Sequence, residues 1–130
     1  MPAILNKKDS HHDNLCDEIF RERAAVLSRA GNAVSDILDL LIRLENEIES
    51  KKHLLDILSF GYDTIGISSD KKVLCTEINK NIKKFNAVCK IAQLKYYYFI
   101  VTREAMGLRR HDRVREIYKI PEEKKKIQIF

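Results

Sequence analysis

Apolar side chains return every three or four positions along the first half of the chain: Leu27, Ala30, Val34, Ile37, Leu41, Leu44, Ile48, Leu55 and Leu58. Lys51 is the one polar insertion. Only a helix brings such spacing to one face, and the alternation of three and four is a heptad seam. Carried backward, the seam reaches Phe20 and Cys16, with Arg23 as a second polar insertion. A matching seam follows in the second half: Ile78, Ile82, Phe85, Cys89, Ala92, Tyr96 and Phe99, extended at its ends by Cys75 and Arg103.

The boundaries follow from local chemistry. Asp13 or Asn14 can cap the first helix, and Asp17 and Glu18 then suit the positive end of its dipole. Unbroken to Ser59, it spans about 45 residues, or roughly 68 Å. Gly31 is its weak point, since glycine inside a helix costs on the order of 1 kcal/mol against alanine. A kink there is the alternative to a continuous rod, but the seam keeps phase across Gly31 and favours continuity. Glu45, Glu49 and Lys52, and Glu47 with Lys51, set opposite charges three or four apart on the outer surface. Residues 59–69 form the connection. Gly61 suits a C-terminal cap, and Phe60, Tyr62, Ile65 and Ile67 are apolar enough to fold over one end of a bundle. Ser68, Ser69 or Asp70 caps the second helix, which runs to about Met106 and stops at Gly107.

A third, shorter helical piece is expected over residues 109–119, with Val114, Ile117 and Tyr118 as its small apolar edge and Pro121 ending it. Beyond it, Lys124, Lys125 and Lys126 precede Ile127, Ile129 and Phe130. That alternation suits a short strand or an anchor for a partner, with a frayed tail the favoured state. The chain thus divides into a disordered tail over residues 1–13, a helical bundle domain over 14–119 and a basic C-terminal tail over 120–130. The fold class is all-α: a long antiparallel helical hairpin with a short third helix, a three- or four-helix bundle that dimerisation could complete. Val73, Val88, Ile91 and Val101, with Ile19, Val26, Ala33, Leu38, Leu40 and Ile42, widen the apolar stripes beyond what one hairpin hides. A third helix or a second copy must cover the surplus.

Composition agrees with this. Four glycines and two prolines in 130 residues are too few for a turn-rich β fold. The net charge of +5 is mild for a dedicated nucleic-acid coat. Three cysteines, Cys16, Cys75 and Cys89, make no disulfide framework and read as reduced thiols in a cytoplasmic protein. The N-terminal residues lack the apolar centre of a signal peptide, and no window is long enough for a membrane span.

Few residues suggest chemistry. His11 and His12 with Asp9 and Asp13 could hold a metal weakly, but a loose tail gives no frame for fixed ligand distances. Cys75 and Cys89 lie on the seam and read as core. His53 reads as a surface histidine. His111 stands among Arg109, Arg110 and Arg113, and some all-helical ribonucleases set an Arg and a His four to six residues apart. Here the seam residue Arg103 is separated from His111 by seven residues, which departs from that pattern. No catalytic residue, cofactor, metal or small-molecule substrate is assigned.

Two surfaces remain. Tyr96, Tyr97, Tyr98 and Phe99 spread over roughly 300° of a helix, so Tyr97 or Tyr98 must face away from the seam. Tyr97, Tyr98, Phe60 and Tyr62 are the candidate protein-binding residues. Residues 103–126 hold nine Lys or Arg against five acids, a net +4. Within them Arg109, Arg110, Arg113, Arg115, Lys124, Lys125 and Lys126 could bind phosphates by releasing counterions. In size and architecture the hairpin loosely resembles secretion and flagellar export chaperones, which implies a partner-binding role. The expected function is a non-enzymatic interaction module: an adaptor, assembly factor or small chaperone, with a protein partner or itself as a homodimer. Nucleic-acid binding by the basic segment is the alternative.

Overall fold

The computed structural model describes residues 7–60 and 65–128, with side chains over 10–60 and 69–128. Two long helices dominate: α1, Lys7–Ser59, and α2, Ile65–Ala105. They pack against each other along their seams. A six-residue helix, α3, Asp112–Ile117, follows, and residues 118–128 return along the hairpin without regular structure. No strand occurs among the described residues.

The seams are the core. Leu41, Leu44 and Ile48 of α1 meet Ile78, Ile82, Phe85, Cys89 and Ala92 of α2, all buried. A second buried group, Val34, Phe99 and Val114, ties α3 to the hairpin. Antiparallel register is fixed by pairs such as Gly31 with Phe99, and Lys51 with Glu77 at 3.9 Å.

Gly31 does not break α1. A Cβ built there would lie 3.2 Å from the Phe99 ring and 3.7 Å from the Tyr118 hydroxyl. The Phe99 ring packs so close to the helix backbone here that a side chain at position 31 would have to push it back by a few tenths of an ångström. The Phe99 and Tyr118 rings meet edge to face at 5.6 Å, and Ser35 donates to the Tyr118 hydroxyl at 3.3 Å.

Several boundaries differ from expectation. α1 starts at Lys7 rather than at Asp13 or Asn14, so residues 7–13 are helical. Extending an existing helix avoids the cost of nucleation, which a search for caps overlooks. α2 starts at Ile65, so Ser68, Ser69 and Asp70 lie inside it rather than capping it. α3 is shorter than the expected 109–119. α2 does end as the glycine implies: Gly107 has φ 84°, its N–H reaches Glu104 O, and Leu108 N–H reaches Arg103 O. That is a Schellman cap. Phe60 is 93% exposed instead of covering the bundle end. Gly61 and Tyr62 lie outside the described residues.

The C-terminal segment is the largest correction. It is held along α2 by two asparagines rather than frayed. Asn86 donates to Lys124 O at 2.8 Å and accepts from Lys124 N–H at 2.7 Å. Asn79 makes the same pair with Ile127, at 2.9 and 2.8 Å. A carboxamide offers one donor and one acceptor, as a neighbouring strand would. Seven helical residues rise about 10.5 Å. Three residues of extended chain cover nearly the same length, roughly 10 Å. The spacing of the two asparagines therefore fits the spacing of Lys124 and Ile127. Ile120 and Ile127 pack against the core beside this clamp.

Candidate functional site

The helices are unequal, and this shapes the surface. The end of α2, at Ala105 and Met106, lines a groove with Glu22, Arg23 and Val26 of α1. α1 therefore runs on past α2 by about 15 residues, or roughly 22 Å. Every residue from 10 to 26 is exposed, and burial begins only at Leu27. The seam residues Cys16 and Phe20 belong to this arm, with Phe20 69% exposed.

Two apolar stripes converge there. On α1, Leu15, Ile19 and Val26 are exposed at helical spacing. On α2, Ile91, Leu94, Tyr98 and Val101 step by three, four and three, and all four are exposed. This second heptad phase runs beside the buried seam. Val26 and Val101 both line the groove, an open cavity of about 460 Å³ also lined by Glu22, Arg23, Thr102 and Ala105. The stripes thus join into one apolar surface at the root of the arm.

The four aromatic candidates do not form one site. Tyr98 lies on the α2 stripe. Tyr97 is exposed beside it, 6.0 Å away between ring centres, but lines a different cleft with Tyr96, Ile100, His111 and Arg115. Phe60 lies at the far end of α1, about 44 Å from the level of Gly31 and Phe99. Tyr62 is outside the described residues.

The basic residues also separate. Arg109, Arg110, Arg113 and Arg115 are exposed around the start of α3. Lys124 is engaged: its ammonium lies 3.2 Å from Glu45 and 5.2 Å from the Phe85 ring centre. Lys125 and Lys126 are exposed on the clamped segment, beside the middle of α2. Asn86, which holds Lys124, is 17 residues from Arg103, a rise of about 26 Å. One basic run in sequence becomes two groups in space.

Arg103 and His111 do meet, because the Schellman turn folds the chain back between them. Arg103 Nε donates to His111 Nδ1 at 3.3 Å, and its terminal nitrogen donates to Arg110 O at 3.0 Å. With Nδ1 accepting, the ring proton is assigned to Nε2, which donates to Glu104 Oε1 at 3.1 Å. The His111 side chain is only 9% exposed, and both ring nitrogens are occupied. As it stands the group is a clamp on the turn before α3. Acid–base work would require one of these contacts to open.

The remaining chemistry is sparse. A second open cleft of about 450 Å³ lies between α1 and the chain after α3, with Leu38, Ile42, Ile117 and Pro121 beside Asp39 and Glu116. Cys75 and Cys89 are buried. Burial pushes the Cys89 thiol above its ordinary value, helped by the nearby Glu123 and Glu45 and opposed by Lys124. Cys16 is exposed, its sulfur 3.7 Å from His12 Nε2. Among the described residues no cluster of three or more His, Cys, Asp or Glu could hold a metal ion, and no helix is long and apolar enough to cross a membrane.

Sequence reasoning missed two features with legible signals. The α2 stripe was visible as a second three-and-four phase, of which Ile91, Tyr98 and Val101 stood out separately and Leu94 did not. The asparagine pair was visible only as two polar residues seven apart. Neither a protein-family model, nor a curated protein, nor a solved structure matches this chain.

Proposed function

We propose that the protein is a non-enzymatic helical interaction module, an adaptor, assembly factor or small chaperone that binds protein through its uncovered apolar face. The observation that carries this reading is the joined surface at the root of the arm, where Leu15, Ile19, Val26, Leu94, Tyr98 and Val101 stay in water. Single exposed apolar residues are ordinary, but contiguous stripes at heptad spacing are what helices bury against helices. Tyrosine on such a surface adds a large rigid ring at low entropic cost.

The alternative is nucleic-acid binding by the basic residues. Their division into two groups, with Lys124 already paired, leaves four exposed arginines near α3 as the stronger of the two. Interleaved Asp112 and Glu116 weaken the field there.

One experiment addresses both. In extracts of producing cells the protein should run as a complex larger than its 15.2 kDa chain mass. Leu94→Glu with Val101→Glu should return it to the free chain, and nuclease treatment should leave the wild-type complex unchanged. Wild type running at the free-chain mass at every loading would overturn the interaction reading. A complex dissolved by nuclease, or by Arg109→Glu with Arg110→Glu and Arg113→Glu, would favour the nucleic-acid alternative.

A further inference from the structure

His111 is held on its two ring nitrogens by groups of opposite charge. Nδ1 accepts from Arg103 Nε at 3.3 Å, and Nε2 donates to Glu104 Oε1 at 3.1 Å. An imidazole can accept on one nitrogen and donate on the other only while it is neutral, because a second proton makes both of them donors. Nδ1 would then set N–H against N–H, and an imidazolium against a guanidinium. The ring has little room to turn away, since its side chain is only 9% exposed.

Arg103 does more than meet the ring. Its terminal nitrogen donates to Arg110 O at 3.0 Å, and its guanidinium carbon stands 5.9 Å from the centre of the Phe99 ring. This one side chain therefore ties the end of α2 to the turn before α3. The tie continues into α3, where Arg115 N–H donates to His111 O at 2.9 Å and Val114 packs buried against Phe99 and Val34.

The charged and titratable groups around the ring come from both elements. α2 supplies Arg103, Glu104, Tyr96 and Tyr97, and the turn and α3 supply Arg110, Asp112 and Arg115. Glu104 favours a second proton, but its side chain is 55% exposed and water weakens its hold. Arg103 opposes that proton from direct contact.

We propose that His111 is a pH-responsive latch: a second proton, taken up from water on Nδ1, expels Arg103 and loosens α3 from the end of the hairpin. Glu104 keeps its contact with Nε2–H, now as an ion pair, so the turn rearranges while the two long helices stay packed. The closed turn holds the ring with one proton and the open turn accepts the ring with two, so falling pH favours the open turn. Histidine is the side chain whose charge ordinarily changes between about pH 5 and pH 8. Loosening α3 uncovers Phe99 and Val34. The latch does not depend on the interaction reading above and stands or falls apart from it.

Nuclear magnetic resonance of the full chain between pH 8 and pH 5 tests this. At pH 8 the His111 ring should carry its proton on Nε2 and leave Nδ1 bare. As the ring titrates, protection of the Arg115 and Tyr118 amides, corrected for the pH dependence of exchange itself, should fall by up to about tenfold per pH unit. The amides of Ile78 to Ala92 should keep theirs. His111→Asn retains an acceptor at the level of Nδ1 but takes up no proton, so it should hold α3 protection constant across the range. Arg103→Gln should move the ring's transition to higher pH, and Glu104→Gln should move it lower. His11, His12 and His53 are exposed on α1 and titrate in all of these variants alike. A proton on Nδ1 at pH 8, wild-type α3 protection indifferent to pH, or an undiminished pH response in His111→Asn would each overturn the proposal. Circular dichroism at pH 8 checks that the variants keep their helices. Should His111→Asn lose them, failure of Arg103→Gln and Glu104→Gln to shift the transition in opposite directions would overturn it instead.

Discussion

The three thiols show how far one residue's surroundings set its chemistry. Cys75 and Cys89 fill the seam, while Cys16 stands on the arm. In dilute solution an alkylating reagent should modify Cys16 quickly and reach Cys75 and Cys89 only through opening of the hairpin, as mass spectrometry over time would show. Cys89 adds a pH dependence. Its folded pKa is raised above the ordinary 9.0, first by burial and then by Glu123 and Glu45. Below that ordinary value both folded and unfolded thiols are protonated, and the fold keeps its full stability. Above it the unfolded chain gains thiolate that the core refuses, so stability falls as pH rises. Denaturant midpoints measured from pH 8 upward should decline, and Cys89→Ala should flatten part of that decline while lowering the midpoint at neutral pH.

The asparagine clamp belongs to the elements rather than to any single side chain. Asn79 and Asn86 act on backbone groups of Lys124 and Ile127, so they hold a path of chain, not a particular sequence. The side chains of that path add Ile120 and Ile127 against the core and Lys124 between Glu45 and Phe85. Replacing either asparagine by alanine removes two hydrogen bonds, a loss of about 1 to 3 kcal/mol. The amides of Lys124 and Ile127 should then exchange with solvent much faster, while those of Ile78 to Ala92 in α2 change little. Equal acceleration throughout would mean that the segment is integral to the hairpin rather than clamped onto it. Nothing in the alternation of Lys124 to Ile127 shows that asparagines on another element would receive it. That pairing depends on the rise of a helix matching the rise of an extended chain.

For the molecule as a whole, protection should be graded along α1. The stretch from Leu41 to Ile48 is closed by α2, but residues 10–26 are exposed, with no cover among the described residues. Hydrogen exchange at low protein concentration should therefore be fast over the arm and slowest around Leu41 to Ile48 and Ile78 to Ala92. Slow exchange of the arm in the single chain would mean that something in the same chain covers it.

The sequence by itself determined the two helices, their seams and the antiparallel hairpin, because burial of an apolar stripe is a local periodic demand that each helix writes into its own residues. It also determined the stop at Gly107, since only glycine adopts that positive φ without strain. Tertiary structure alone decided the rest. The offset of the helices depends on which part of each seam meets the other, and an overhanging seam reads the same as a covered one. The contact of Arg103 with His111 and the division of the basic run both arise from chain reversals. Such reversals set distance in space independently of distance in sequence.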